Sequence, residues 1–140
     1  AIQKPLHKTH LASYREILIG GTKYKELASQ IRSLNDLSGI PFIGLADGTG
    51  SRELYHRYFL SHGLMFAPDM EAATTDQILP MITHNLGIGF YPEELAAEAI
   101  ARGSAYAIRL VEPIPEREIC LVTNSSTQMS AAVRKVISFL

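Results

Sequence analysis

With 140 residues, 46% of them hydrophobic and 19% charged, the chain is long enough for one compact domain and too short for two of ordinary size. Thirteen Lys and Arg against 14 Asp and Glu leave a net charge of −1, so no global positive field draws in a phosphate backbone; the single cysteine, Cys120, can neither close an internal disulfide nor complete a cysteine-rich zinc site. No apolar run approaches the roughly 20 residues of a membrane-spanning helix, and the opening AIQKPLHKTH lacks the charged-then-apolar order of a signal peptide, which points to a soluble, cytoplasmic chain.

Along the chain, SYREILIGG (Ser13 to Gly21) reads as a strand running into a glycine turn. In TKYKELASQIRSL the apolar residues Tyr24, Leu27, Ala28, Ile31 and Leu34 fall on one helical face and predict a helix. PFIGLA (Pro41 to Ala46) is nearly continuously apolar, as expected of a strand covered on both faces, and Asp47, Gly48, Thr49 and Gly50 break it. A helix then starts near Ser51, with Leu54, Tyr55, Tyr58 and Phe59 inward and Gly63 as its left-handed stop. After a brief strand at Asp69 to Ala73, Thr74 and Gln77 form a T-x-x-Q capping box for a helix carrying Ile78, Leu79, Ile82 and Leu86.

Pro80 conflicts with a regular helix there, since it removes a backbone donor; the helix is either kinked or starts later. GIGFY (Gly87 to Tyr91) reads as a buried strand, and Pro92 opens the helix PEELAAEAIAR, which Gly103 closes. YAIRLVE (Tyr106 to Glu112) and REICLVT (Arg117 to Thr123) are two strands with a bend at Pro113 and Pro115. Ser130 can cap a last helix with the stripe Ala132, Val133, Val136, Ile137 and Leu140. This alternation favours an α/β fold, an open, mostly parallel sheet with helices on its faces, whose ligands bind at the carboxyl ends of strands.

The local pattern with most chemistry is ADGTGSRE (Ala46 to Glu53), where a strand passes through two glycines into a helix. Unpaired N–H groups and the helix dipole favour an anion at such a helix start by about 0.3 to 2 kcal/mol. Thr49 and Ser51 add hydroxyls and Arg52 a charge. The plainer reading is a capped turn in which Ser51 satisfies its own helix, worth about 1 kcal/mol. Neither a P-loop nor a G-x-G-x-x-G fingerprint is present, so nucleotide binding has little support and no cofactor is expected. The histidines at 7, 10, 56, 62 and 84 show no metal-ligand spacing and read as surface residues, and no G-x-S-x-G supports a hydrolase built on Ser51 and His84. Tyr55, Tyr58 and Phe59 read as core or interface.

In order and spacing, GLADGTGSRELYHRYFLSHGL (Gly44 to Leu64), EAATTDQILPMITHNLGIGFYPEELA (Glu71 to Ala96) and LVEPIPEREICLV (Leu110 to Val122) resemble the C-terminal part of the effector-binding domain of LysR-type transcriptional regulators. The resemblance implies a type 2 periplasmic-binding-protein-like fold of two lobes: a second lobe over approximately 20–110, and an incomplete first lobe over 1–19 and 111–140. EILIG (Glu16 to Gly20) would enter the second lobe and Ile108 to Pro113 would leave it. It implies a small effector, an organic anion, at Gly48, Thr49, Gly50 and Ser51, with Thr75 and Phe90 as secondary cleft contacts and no catalysis. It also implies a homodimer or homotetramer, with the helix from Arg52 to His62 a candidate interface, and DNA contact only through a winged helix-turn-helix outside this sequence. Two other readings stay open: a periplasmic-type solute receptor, which would need a signal peptide upstream, and a small α/β enzyme around Ser51, which would need a nearby base.

Overall fold

Strand residues that alternate sides of a sheet set the architecture. Leu18 and Ile19 are neighbours in sequence, both 0% exposed, and point to opposite faces, so the sheet that holds them must be covered on both. The computed structural model describes residues 6–124 and 135–137. Its elements are β1 (Leu6–Tyr14), β2 (Glu16–Gly20), three single 3₁₀ turns (Thr22–Tyr24, Leu27–Ser29, Leu34–Leu37), β3 (Ile43–Leu45), α1 (Gly50–Ser61), β4 (Met70–Ala72), α2 (Thr75–Thr83), β5 (Gly89–Pro92), α3 (Glu93–Ala101), β6 (Tyr106–Ile108), β7 (Arg117–Asn124) and β8 (Lys135–Ile137).

β3 pairs in parallel with β4, and a parallel bridge from Phe42 to Ile88 joins β3 to β5 through Ile43 N–H to Ile88 O at 2.8 Å and Ile88 N–H to Pro41 O at 2.9 Å. β2 pairs antiparallel with both β5 and β6. The row is therefore β4-β3-β5-β2-β6, with β2 alone running against the other strands, and the expected open, mostly parallel sheet holds in that sense. On one face α1 buries Tyr55, Tyr58 and Phe59 against Leu18, Phe42, Phe66 and Phe90. On the other, α2 and α3 bury Ile78, Ile82, Ala96 and Ala99 against Ile19, Ile43 and Leu45. Each fully buried Leu or Ile stabilises by about 1.5 to 3 kcal/mol, so these two clusters hold the three layers together.

A second sheet is antiparallel throughout: β1 pairs along its length with β7, and β8 adds to the other edge of β7. Arg15 is the break between β1 and β2, so one continuous stretch of chain serves both sheets.

Several expectations hold. Pro41–Ala46 contains β3, the helix after it begins at Gly50, and Gly63 (φ +75°) and Gly103 (φ +77°) stand where stops were expected; Pro92, expected as the first helical residue, instead closes β5 and is the N-cap of α3, one position earlier. Three others do not. The helix expected over residues 22–34 is replaced by the 3₁₀ turns, because Arg32 is pulled into a parallel bridge with Leu110: its N–H donates to Arg109 O and its carbonyl accepts from Val111 N–H, both at 2.8 Å. The Arg32 guanidinium then bonds the Leu27 and Glu26 carbonyls that a helix would have used, and Ile31 is left 58% exposed.

The last helix is also corrected. Val136 and Ile137 lie in β8, paired with Leu121 and Cys120. The free edge of β7 offers backbone partners to a third strand, and β8 takes them. The rest of that expectation, Ser130, Ala132, Val133 and Leu140, lies outside the described residues. Finally, the T-x-x-Q box is only half made: Thr74 makes no side-chain cap, and Gln77 Oε1 reaches past it to accept from Ala73 N–H at 2.9 Å. α2 runs through Pro80 to Thr83, with the lost donor falling opposite the Asp76 carbonyl.

Candidate functional site

The strand-to-helix turn is built as a cap. Gly48 takes φ +91°, a conformation other residues adopt at a cost, and lets the chain reverse into α1. The Thr49 hydroxyl accepts from Arg52 N–H at 3.1 Å and donates to Ala46 O at 2.9 Å, so the cap is Thr49 and not Ser51. Arg52 is likewise committed: its Nη1 donates to Leu45 O and pairs with Glu71, each at 3.0 Å. A charge expected to face a ligand instead ties α1 to the end of β3 and to the middle of β4.

Release from capping leaves Ser51 for another task. It is 8% exposed, and its hydroxyl accepts from Arg117 Nη1 at 3.0 Å. The same Nη1 pairs with Glu16 Oε1 at 3.3 Å, and Tyr55 donates its phenolic hydrogen to that oxygen. Glu16 begins β2, Arg117 begins β7, and Ser51 and Tyr55 lie on the first turns of α1, so this buried cluster ties β7 of the antiparallel sheet to β2 of the other sheet and to the helix packed on it. Burial, then the Glu16 charge and its hydrogen bond, push the Tyr55 phenol well above its ordinary range. Tyr14 is pushed up to about 12 by burial, with the Glu16 charge adding and Arg117 opposing.

Among the described residues, three cavities have Glu16 in their walls, and two of them also reach the helix starts. The smaller, about 20 Å³ and room for one water, is bounded by Glu16, Ser51, Tyr55, Thr75 and Phe90. The larger is a cleft of about 750 Å³ between the β1 and β7 strands and the starts of α2 and α3, with Tyr14, Thr75, Tyr91 and Leu95 among its walls. The structure thus brings Ser51, Thr75 and Phe90 together. Gly48, Thr49 and Gly50 line neither cavity, and Gly48 and Gly50 are exposed. Phe90 is 6% exposed and stacks on Tyr55 with ring centroids 4.1 Å apart at 12°, so it is aromatic core that also floors the small cavity.

Glu16 and Arg117 are the residues missed from sequence. Their signal was a charged residue of each sign at the first position of a mainly apolar strand, EILIG and REICLV, although Glu118 follows Arg117 directly. Among the described residues, no group of three His, Cys, Asp or Glu side chains is placed to share a metal ion, and no helix is long and apolar enough to cross a membrane.

Comparison with known proteins decides the family. The LysR substrate binding domain matches residues 3–140. The chain belongs to the LysR substrate-binding domain family. A curated relative, the uncharacterized HTH-type transcriptional regulator YeiE of Escherichia coli K12, is 23% identical over 142 residues, covering 99% of this chain and 48% of that protein. The chain therefore spans about half the length of the curated relatives it matches. Among solved structures, the effector-binding domain of QuiR in complex with shikimate superposes with a TM-score of 0.75 at 16% identity, over 91% of this chain and 59% of that one. The Synechocystis CcmR regulatory domain in complex with 2-PG gives 0.76 at 18% identity, over 91% and 61%. These likenesses establish for the LysR domain described here a fold shared with regulatory domains.

Proposed function

We propose that this LysR-family chain is the ligand-sensing part of a bacterial transcription regulator and performs no chemistry of its own. It takes a small organic effector, an anion in our reading, into the cleft rooted at Glu16, with Ser51 and Thr75 at the anion-favouring starts of α1 and α2. Residues 20–110 act as the second lobe, and 1–19 with 111–140 as part of the first. A homodimer or homotetramer in the cytoplasm would carry DNA-binding heads that lie outside this sequence.

The observation that carries this reading is the position of the cleft. It lies where β1 and β7 of one sheet meet the helix starts of the other, and its root is the buried Glu16–Arg117–Ser51 connection between them. A molecule there touches both sheets, so it binds one relative arrangement better than another, which is the requirement for shifting a population. A coupling of about 1 to 3 kcal/mol gives a graded response. QuiR and CcmR, of the same fold, are seen with shikimate and 2-PG, which supports a small-molecule occupant.

The test is Thr75→Trp, which fills the cleft from a half-buried position. The intact protein carrying it is expected to keep its Tm, lose effector binding by calorimetry, and lose the effector dependence of DNA binding. Unchanged effector affinity in that variant rejects the site.

A further inference from the structure

The cleft has a charge of its own. Among the described residues, Glu16, Asp76, Glu93, Glu94 and Glu116 line it against the guanidinium of Arg15. Asp76, Glu93 and Glu94 sit in the first turns of α2 and α3, where the helix dipoles favour them. Glu16 has no such account. Its side chain is 7% exposed, and among the described residues both of its partners, Tyr55 and Arg117 Nη1, bond the same oxygen, Oε1. Oε2 accepts no hydrogen bond among the described residues, although Glu16 forms wall in both cavities. A buried carboxylate oxygen without a donor is costly, and such an exception in a cavity wall marks a place for a donor from outside the chain.

We propose that the effector presents a protonated amine to Glu16 Oε2. This rests on the cleft being the effector site and adds the chemical class of its occupant. An ammonium group brings three donors and a positive charge, completing Glu16 without disturbing its bonds to Tyr55 and Arg117. The acidic wall raises the local concentration of such a cation and disfavours an amine-free dianion. An effector that also carries the anionic group read above is then a zwitterion of the amino-acid class, with its ammonium on Glu16 and its carboxylate toward Ser51 and Thr75.

The test is calorimetry and thermal shift on the intact protein with the twenty common amino acids and putrescine, set against the amine-free acids glycolate, lactate and succinate. At least one amine-bearing probe is expected to bind saturably, with affinity falling as salt rises from 0.05 to 0.5 M, while the amine-free acids do not bind. Glu16→Gln is expected to weaken that probe by about tenfold or more, since it replaces a charge-assisted bond. Asp76→Asn and Glu94→Gln, both exposed and unable to disturb the core, are expected to weaken it by about two- to fivefold each.

Binding by amine-free acids alone, or by no amine-bearing probe, overturns the proposal, as does full affinity in Glu16→Gln with the two wall variants unchanged. Thr75→Trp separates the two readings. Amine-free binding that Thr75→Trp abolishes sinks the amine and keeps the cleft, whereas binding that survives Thr75→Trp sinks the cleft as well.

Discussion

Ser51 Oγ accepts a 3.0 Å hydrogen bond from Nη1 of Arg117, tying the first turn of α1 to the start of β7 across 66 positions of sequence. Arg117 also carries the ion pair to Glu16 on β2, so any rotation of one sheet against the other works on a buried, charged contact. In water such a contact would slip easily. Here, with Glu16 and Arg117 each under a tenth exposed, separation leaves charges without partners, which favours discrete arrangements over a continuum.

Arg117→Met should therefore be strongly destabilising, by about 3 to 5 kcal/mol, because it strands the Glu16 carboxylate in the interior. Replacing both, Glu16→Leu with Arg117→Met, should recover most of that loss, since an apolar pair removes the unpaired charge. Urea midpoints of the two singles and the double form the cycle that checks this. Additive losses would mean that the ion pair is energetically idle.

Thr49 and Ser51 separate capping from coupling. Thr49→Ala should cost about 1 kcal/mol, the ordinary value of an N-cap, with Thr49→Ser restoring it. Ser51→Ala removes a bond to a guanidinium and should cost about 1.5 to 3 kcal/mol. It should also weaken effector binding, which Thr49→Ala should leave nearly unchanged. Thermal unfolding and calorimetry on the same samples decide between a residue that starts a helix and one that joins two parts of the chain.

How much of this was legible in sequence depends on range. The strand at PFIGLA and the helix after it follow from local residues alone: an apolar run, a glycine turn, then Leu54, Tyr55, Tyr58 and Phe59 at helical spacing, and the structure has them. Residues 22–34 carry an equally good helical pattern, yet their conformation is set by a bridge to Leu110, a partner no local window contains. β8 is the same case, its neighbour lying on β7. At the site, Ser51 and Thr75 could be chosen because helix starts announce themselves by residue type. Glu16 and Arg117 could not be paired, because only the crossing of β2 and β7 brings positions 101 residues apart to 3.3 Å. Arg52 was readable as a charge but not as one already taken by Glu71.

Phe90 offers a test of core against site. Its ring stacks on Tyr55 and lies 5.8 Å from Phe42, and it is 6% exposed, so Phe90→Ala should cost about 3 to 5 kcal/mol. Phe90→Leu should keep most of the volume and lose under about 1.5 kcal/mol, with effector affinity changed little. Loss of binding in a stable Phe90→Leu protein would instead make the ring a direct ligand contact.

Alkaline pH should find the same cluster. Tyr14, raised to about 12 by burial, and Tyr55, raised well above its ordinary range by burial and by the Glu16 charge, are held protonated in the fold while the unfolded chain ionises near its ordinary value. A raised phenol pKa means that the unfolded state releases its proton first, so the stabilisation is whole below about pH 10 and falls as pH climbs toward and through the folded value. Urea midpoints should thus be flat to about pH 9.5 and decline above it, with phenolate absorbance appearing together with unfolding rather than before it. Tyr55→Phe removes the titrating group along with its bond to Glu16, so it should start less stable yet decline less steeply with pH. A slope unchanged in both Tyr14→Phe and Tyr55→Phe would place the alkaline transition elsewhere, in Tyr58 or Tyr91, whose phenols burial also raises.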